Sequence, residues 1–323
     1  MAALDKIIVI TKKTALEELI ERFNTRAQAQ FYIEHLGASF AEYDAAHGAY
    51  YRALDAVQDA LPRGVRAQFI ERSFLPTFLF GSDDLVVTLG PDGLVVNTAK
   101  YLTTQPILAL NPDPRRVDGV LVPFPYDGAR VLFTNVLQNK FTRKRISMAQ
   151  AALNDGQTLY AVNDLFIGVR THTSARYELR FGGAREQQSS SGIIVSTGAG
   201  STGWYRSILT GAAGVMEYFT DAPEVKAARA EYRFDWEADY LYFAVREPFI
   251  SKTSSAQMSF GRIEKNQTLD LVSEMPQNGV IFSDGVEADY LKFNSGALAQ
   301  IGLAEKKVNL IVNVENIAAP KSL

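Results

Sequence analysis

The feature that most constrains this chain is a change of hydrophobic period near residue 145. Before it, short β-branched runs alternate with longer stretches whose apolar residues recur every three or four positions. After it, two-residue alternation dominates. Strand, loop, helix and strand in the first half describe a parallel α/β unit, because parallel strands need a crossover and a helix supplies it. Strands are read at 7–10, 68–70, 84–89 and 107–110. Leu16, Leu19, Ile20, Phe23 and Ala27 share one face and predict a single amphipathic helix, with Gly37 as its stop. A second stretch with Phe40, Tyr43, Tyr50, Leu54, Val57 and Leu61 on one side ends at Pro62, and a helical segment follows Gly93 as far as Lys100. In the second half the strands fall at 159–162, 176–181, 193–195, 240–245 and 269–272. One helical interruption, 204–230, carries Ala222-Pro223, which is expected to break it in two. The expected architecture is an α/β N-terminal domain, 1–145, and a β-rich C-terminal domain, 146–323, whose extreme C-terminus has the option of returning to the first domain.

Composition narrows the function classes. With 323 residues, 47% of them apolar, the chain can build two ordinary cores, which excludes disorder as its main description. The 33 basic and 36 acidic residues leave a formal charge of -3. That argues against a broad phosphate-binding surface for nucleic acid, so an anionic ligand must be held locally. There is no cysteine, which excludes disulfides, thiolate metal sites and cysteine nucleophiles. His35, His47 and His172 lack ligand spacing, and no protein-held metal is expected. No apolar run approaches the roughly twenty residues that span a bilayer, and the 7–10 run is too short for a secretory signal. A cytoplasmic protein without a membrane partner is expected.

Five short segments carry polar or backbone chemistry. Gly198-Ala199-Gly200-Ser201-Thr202-Gly203 spells G-x-G-x-x-G between a strand and a helix. A dinucleotide turn of the β-α-β type also needs a second strand ending in an acid, and after Glu217 no such strand follows. The simpler expectation is a loop whose N–H groups and hydroxyls are free for ribose or phosphate. Gly90-Pro91-Asp92-Gly93 follows a buried strand, so Asp92 stands at the carboxyl edge of a parallel sheet, where a carboxylate can accept a proton from an attacking hydroxyl. Asn163-Asp164 reads as the close of a strand, Ser189-Ser190-Ser191-Gly192 as the opening of the strand that feeds the glycine loop, and Ser283-Asp284-Gly285 as a turn between β segments. Each also has an ordinary structural explanation. The basic run 140–145 reads as a solvated loop or strand edge, with phosphate steering as the alternative.

Taken in order, these segments resemble the NAD kinase family, within the superfamily that also holds diacylglycerol kinases. The likeness rests on Val9-Ile10-Thr11-Lys12-Lys13-Thr14, on Leu110-Asn111-Pro112-Asp113-Pro114-Arg115-Arg116, on Val162-Asn163-Asp164-Leu165-Phe166-Ile167-Gly168, on Ser190-Ser191-Gly192 with the loop through Trp204, and on Val245-Arg246-Glu247-Pro248-Phe249. It looks closest to the mitochondrial type and its bacterial relatives. The resemblance implies a two-domain fold, NAD and ATP as substrates, Mg2+ brought in with the ATP, and a homodimer. It implies Asp92 as the base for the adenosine 2′-hydroxyl of NAD, with Gly90, Gly93, Gly198 and Gly200 toward the phosphates of the donor. It implies Asn163, Asp164, Ser191, Thr202, Gly203, Trp204, Ser207 and Asp284 as the NAD pocket. Pro91 and Leu94 depart from the family's G-G-D-G-T motif. A proline lacks an N–H and a leucine lacks a hydroxyl, so a weakly held donor is expected. A catalytically weak NAD(P)-binding relative and a lipid or sugar kinase of the same superfamily are the alternatives.

Overall fold

The computed structural model describes residues 6–230 and 232–314. The chain divides into two compact units, one running to Lys144 and taking in the segment from Asn309, the other spanning Arg145–Val308.

The first unit contains β1 (Lys6–Thr11), α1 (Ala15–Phe23), α2 (Arg26–His35), α3 (Phe40–Ala60), β2 (Arg66–Glu71), β3 (Asp84–Leu89), α4 (Asp92–Ala99), β4 (Pro106–Asn111), β5 (Phe124–Pro125) and α5 (Ala129–Leu137). Its strands are parallel in the order β2-β1-β3-β4, with Val9 beside both Phe69 and Val87, and Thr88 beside Ala109. Helices covering both faces bury such strands completely, which explains why β1, β3 and β4 are continuous apolar runs rather than alternating ones. Tyr50, Ala53 and Val57 of α3 share a core with Leu132, Phe133 and Val136 of α5 and with the sheet. Each such large apolar side chain contributes roughly 1.5–3 kcal/mol by leaving water.

The single helix expected after β1 is two. Thr14 and Glu17 form a reciprocal capping box that starts α1; Asn24 then enters the left-handed region at φ 64°, and the Thr25 hydroxyl accepts from Gln28 N–H to start α2. The apolar spacing runs through this break because both helices face one small cluster of Leu16, Ala29, Ile33 and Phe40.

The second unit holds most of β6 (Phe141–Leu153), then β7 (Thr158–Ala161), β8 (Asp164–Val169), β9 (Ala175–Phe181), β10 (Ala184–Ser190), β11 (Ile193–Ser196), α6 (Trp204–Phe219), α7 (Pro223–Ala230), β12 (Tyr240–Val245), β13 (Phe260–Glu264), β14 (Leu269–Ser273), β15 (Gly279–Ser283), β16 (Val286–Lys292) and the first part of β17 (Leu298–Val314). One sheet runs β10-β9-β14-β17 and another runs β13-β12-β11-β8-β15-β16, with antiparallel pairing throughout. Tyr177, Leu179 and Leu271 from the first sheet and Ile167, Val195 and Phe243 from the second belong to one core, so each strand keeps one face dry. Pro223 opens α7, and the helical interruption is indeed divided there. The basic residues Arg143, Lys144 and Arg145 lie inside β6 and point largely to solvent. No helix among the described residues is long and apolar enough to cross a membrane.

Candidate functional site

Asp92 is the first residue of α4, directly beyond the carboxyl end of β3. At that position the N–H groups of Asp92 and Gly93 have no acceptor one helical turn back, so the helix end favours an anion. The carboxylate is held from across the sheet edge: Oδ2 accepts Val120 N–H at 3.0 Å and Oδ1 accepts Leu121 N–H at 2.8 Å. The chain after β4 is shaped for this. Asn111 donates to Val117 O and accepts from Asp113 N–H, and Gly119 turns the backbone at φ +63°, where an added Cβ would strike Val122. Burial raises the Asp92 carboxyl above the ordinary aspartate range, against the lowering effect of the Leu121, Val120 and Val122 N–H groups. The result is an oriented, half-buried carboxylate with enhanced proton affinity, the property a general base needs.

The Leu94 side chain turns inward. It is 2% exposed and packs over Gly90, whose Cβ, if present, would lie 2.8 Å from Leu94 Cδ2. Gly90 is therefore explained by Leu94, while Gly93 faces open space and Pro91 caps the helix at φ -75°.

In the second unit, Asn163 and Asp164 form the corner between β7 and β8; Asp164 opens a strand rather than closing one. Asp284, at φ +56° in the turn from β15 to β16, staples that corner. Its Oδ1 accepts Asn163 N–H at 2.7 Å and Asp164 N–H at 3.3 Å, its Oδ2 accepts Val162 N–H at 3.2 Å, and its own N–H donates to Asp164 O at 2.9 Å. Asp284 thus positions the corner. With its backbone fixed, the Asn163 side-chain amide makes no hydrogen bond to another described residue and remains available to a ligand.

The glycine loop folds onto the same corner. Gly200 lies so close to Asn163 that a Cβ would sit 2.0 Å from its carbonyl oxygen, and a Cβ on Gly198 would sit 1.9 Å from Asp235 O. Gly200 N–H donates to Thr197 Oγ1, Ser201 N–H to Gly198 O, and Gly203 N–H to Gly200 O. These three amides are used within the loop, and Gly198 and Gly200 also allow close backbone approach. What the loop presents outward is Thr202, Gly203, Trp204 and Ser207 at the start of α6. The Trp204 ring stands 6.0 Å from Phe166 and 6.2 Å from Phe282, and a Cβ on Gly203 would lie 3.8 Å from Asp164 Oδ2. Asn163, Asp164, Asp284, Thr202, Gly203 and Trp204 are brought together, with Ser207 following on the same helix.

Ser191 does not join them. It precedes β11, whereas the glycine loop follows it, and Ser196 at the far end pairs with Asp164. The Ser191 hydroxyl donates to Glu247, itself at φ 48°. Among the described residues no group of three or more His, Asp or Glu stands ready to hold a resident metal.

A further element of the first unit escaped the sequence reading. The carboxyl edge of its sheet opens into a cavity of about 420 Å³ lined by Lys12, Tyr43, His47, Pro91, Pro112 and Arg116. His47 came to attention in the sequence only as an isolated histidine; the Thr14 hydroxyl is 2.8 Å from its Nδ1.

No family model matches the sequence, and no curated protein matches it. Among solved structures, the chain is similar to yeast NADH kinase complexed with NADH, with a TM-score of 0.57 at 14% identity over 96% of this chain and 84% of that one. It is also similar to an NAD kinase from Archaeoglobus fulgidus in complex with ATP, with a TM-score of 0.54 at 14% identity over 96% of this chain and 94% of that one. An α/β N-terminal unit followed by a β-rich unit, in this order of elements, gives the chain the fold of the NAD kinases.

Proposed function

We propose that the protein is an NAD kinase-type phosphotransferase, which moves the γ-phosphoryl group of MgATP to the adenosine 2′-hydroxyl of NAD. The observation that carries this is Asp92, a carboxylate of raised proton affinity oriented by two backbone amides at a helix N-terminus on the carboxyl edge of a parallel sheet. In the proposed step Asp92 takes the proton of the 2′-hydroxyl and the oxygen attacks the γ-phosphorus. The bond to the β–γ bridging oxygen breaks, releasing ADP and leaving NADP. Such a transfer asks for positioning and charge compensation more than covalent chemistry. Taken by itself, the second unit offers an unengaged amide at Asn163 for hydrogen bonding and, on the outward face of Thr202, Gly203, Trp204 and Ser207, an aromatic plate for a ring. Mg2+ enters as part of the ATP substrate, and the family likeness adds a homodimer as the working form.

The second reading, an NAD(P)-binding protein of weak activity, is favoured by Pro91, which brings no N–H to the phosphate end of α4. One experiment separates the two. Incubation with NAD and MgATP, followed by enzymatic cycling for NADP, is expected to give NADP in proportion to enzyme and time. NAD binding by calorimetry with no NADP from any donor would leave the binding protein as the surviving description.

A further inference from the structure

On the outer face of the second unit's β10-β9-β14-β17 sheet we infer a separate ligand site, which takes a phosphate monoester that carries a hydroxyl group, as a sugar phosphate does. A cavity of about 410 Å³ opens beside the turn between β9 and β10, lined by Arg180, Gly182, Gly183, Arg185, Thr268 and Asp270. Its volume lies in the range of small-molecule sites, roughly 300–1,000 Å³. None of these residues belongs to the candidate site described above, whose strands β8 and β11 lie in the other sheet. The inference is therefore independent of the kinase reading.

The strand register puts the charged side chains on one face. Leu179 and Leu271 are register partners within the core, so Arg180 and Asp270, the next pair along, face outward. Arg185 of β10 stands directly opposite Arg180 on its other side. Like charges so placed repel each other. Arg180 is engaged by Glu178 of its own strand, which shares the outer face but does not line the cavity, while Arg185 pairs with no carboxylate among the described residues. Asp270 relieves neither arginine. Its Oδ1 is buried and accepts no hydrogen bond from any described residue, and a buried carboxylate oxygen without a donor is costly. The turn adds donors of its own. Phe181-Gly182-Gly183-Ala184 is a two-residue hairpin turn whose glycines both lie in the left-handed region, at φ +59° and +83°. Neither glycine N–H is bonded to another described residue, and no atom lies within 4 Å of where either Cβ would stand. An anion entering here meets two guanidinium groups and two turn amides, and the Asp270 oxygen requires a donor on the same ligand. A simple cation would face Arg180 and Arg185, and a dicarboxylate would face Asp270 without a donor. A phosphate monoester with a hydroxyl group satisfies both ends.

The test uses the full-length protein and follows the Gly182 and Gly183 amides by NMR as glucose 6-phosphate, inorganic phosphate or glucose is added. Glucose 6-phosphate is expected to shift both amides with an affinity in the millimolar range or tighter, inorganic phosphate to bind about threefold or more weakly, and glucose to shift neither. Arg185→Gln is expected to weaken glucose 6-phosphate by about three- to tenfold without lowering the Tm, because it also removes a like-charge contact. Asp270→Ala is expected to weaken glucose 6-phosphate by about threefold or more while inorganic phosphate binds as before or tighter, since only the ester loses an acceptor and both lose a repelling charge. Circular dichroism checks the fold of both variants. Two unmoved glycine amides with either phosphate overturn the site, as does a folded Arg185→Gln protein that titrates like the wild type. Inorganic phosphate binding as tightly as glucose 6-phosphate means an adventitious ion only and overturns the assignment of an ester, as does parallel weakening of both phosphates in Asp270→Ala. Displacement of glucose 6-phosphate by NAD overturns the independence of the site from the one described above.

Discussion

Asp92 and Asp284 both accept backbone N–H groups from a segment distant in sequence, but they stand in different places. Asp284 takes three amides of one corner in a left-handed turn and holds Asn163 in position. Asp92 stands at a helix N-terminus, and its net shift is upward because burial outweighs its amide bonds. The sign of that shift fixes a pH profile. In the proposed reaction a base works when ionised, so turnover is expected to rise with pH through the raised Asp92 pKa, with the acid limb above the ordinary aspartate range. Asp92→Asn is expected to remove that limb and to lower kcat by about two to four orders of magnitude, with little change in the Michaelis constant for NAD. Measuring kcat across pH for both proteins checks this; a small effect on kcat would reduce Asp92 to a turn residue.

At the scale of elements, the corner of β7 and β8 and the loop before α6 act as one piece because Gly200 lies against Asn163. Gly200→Ala must push a methyl group into a carbonyl oxygen, at a cost of about 3 kcal/mol or more if the fold is kept. The expected outcome is a lowered Tm in differential scanning calorimetry together with weaker NAD binding, since the displaced backbone is that of Asn163. This dependence also shows what the sequence could disclose. The β-branched run of β3, the Gly90-Pro91-Asp92-Gly93 loop and the alternation of β9 and β12 were legible because their causes are local: period, turn chemistry and burial. The division of α1 from α2 was written in Asn24-Thr25, a stop followed by a cap, but a shared apolar stripe masked it. The amides that orient Asp92 lie 28 and 29 residues away, and those bound by Asp284 lie about 120 residues away, separations that no periodicity encodes. The inward turn of Leu94 and the distance of Ser191 from the glycine loop needed the packing of α4 and the direction of β11 respectively. The cavity was invisible for the same reason, since Lys12, His47 and Arg116 meet only through the sheet.

For the molecule as a whole, the route of β17 matters most. Its first residues pair with β14 in the second unit, while Asn309 and Leu310 lie parallel to Pro106 and Ile107 in the first. Ile311 and Val314, 0% and 1% exposed, belong to the first unit's core. A fragment ending at Lys144 loses both side chains, each worth roughly 1.5–3 kcal/mol of burial, and is expected to unfold at lower temperature and bind the dye ANS. Supplying the segment from Asn309 onward through a flexible linker is expected to reverse both effects. During synthesis the same routing becomes a delay. At about 5–20 residues per second, roughly 10–30 s pass between translation of α5 and arrival of the strand that completes the parallel sheet. For that interval the start of β4 is a bare apolar edge on a nascent chain, the kind of surface that chaperones cover.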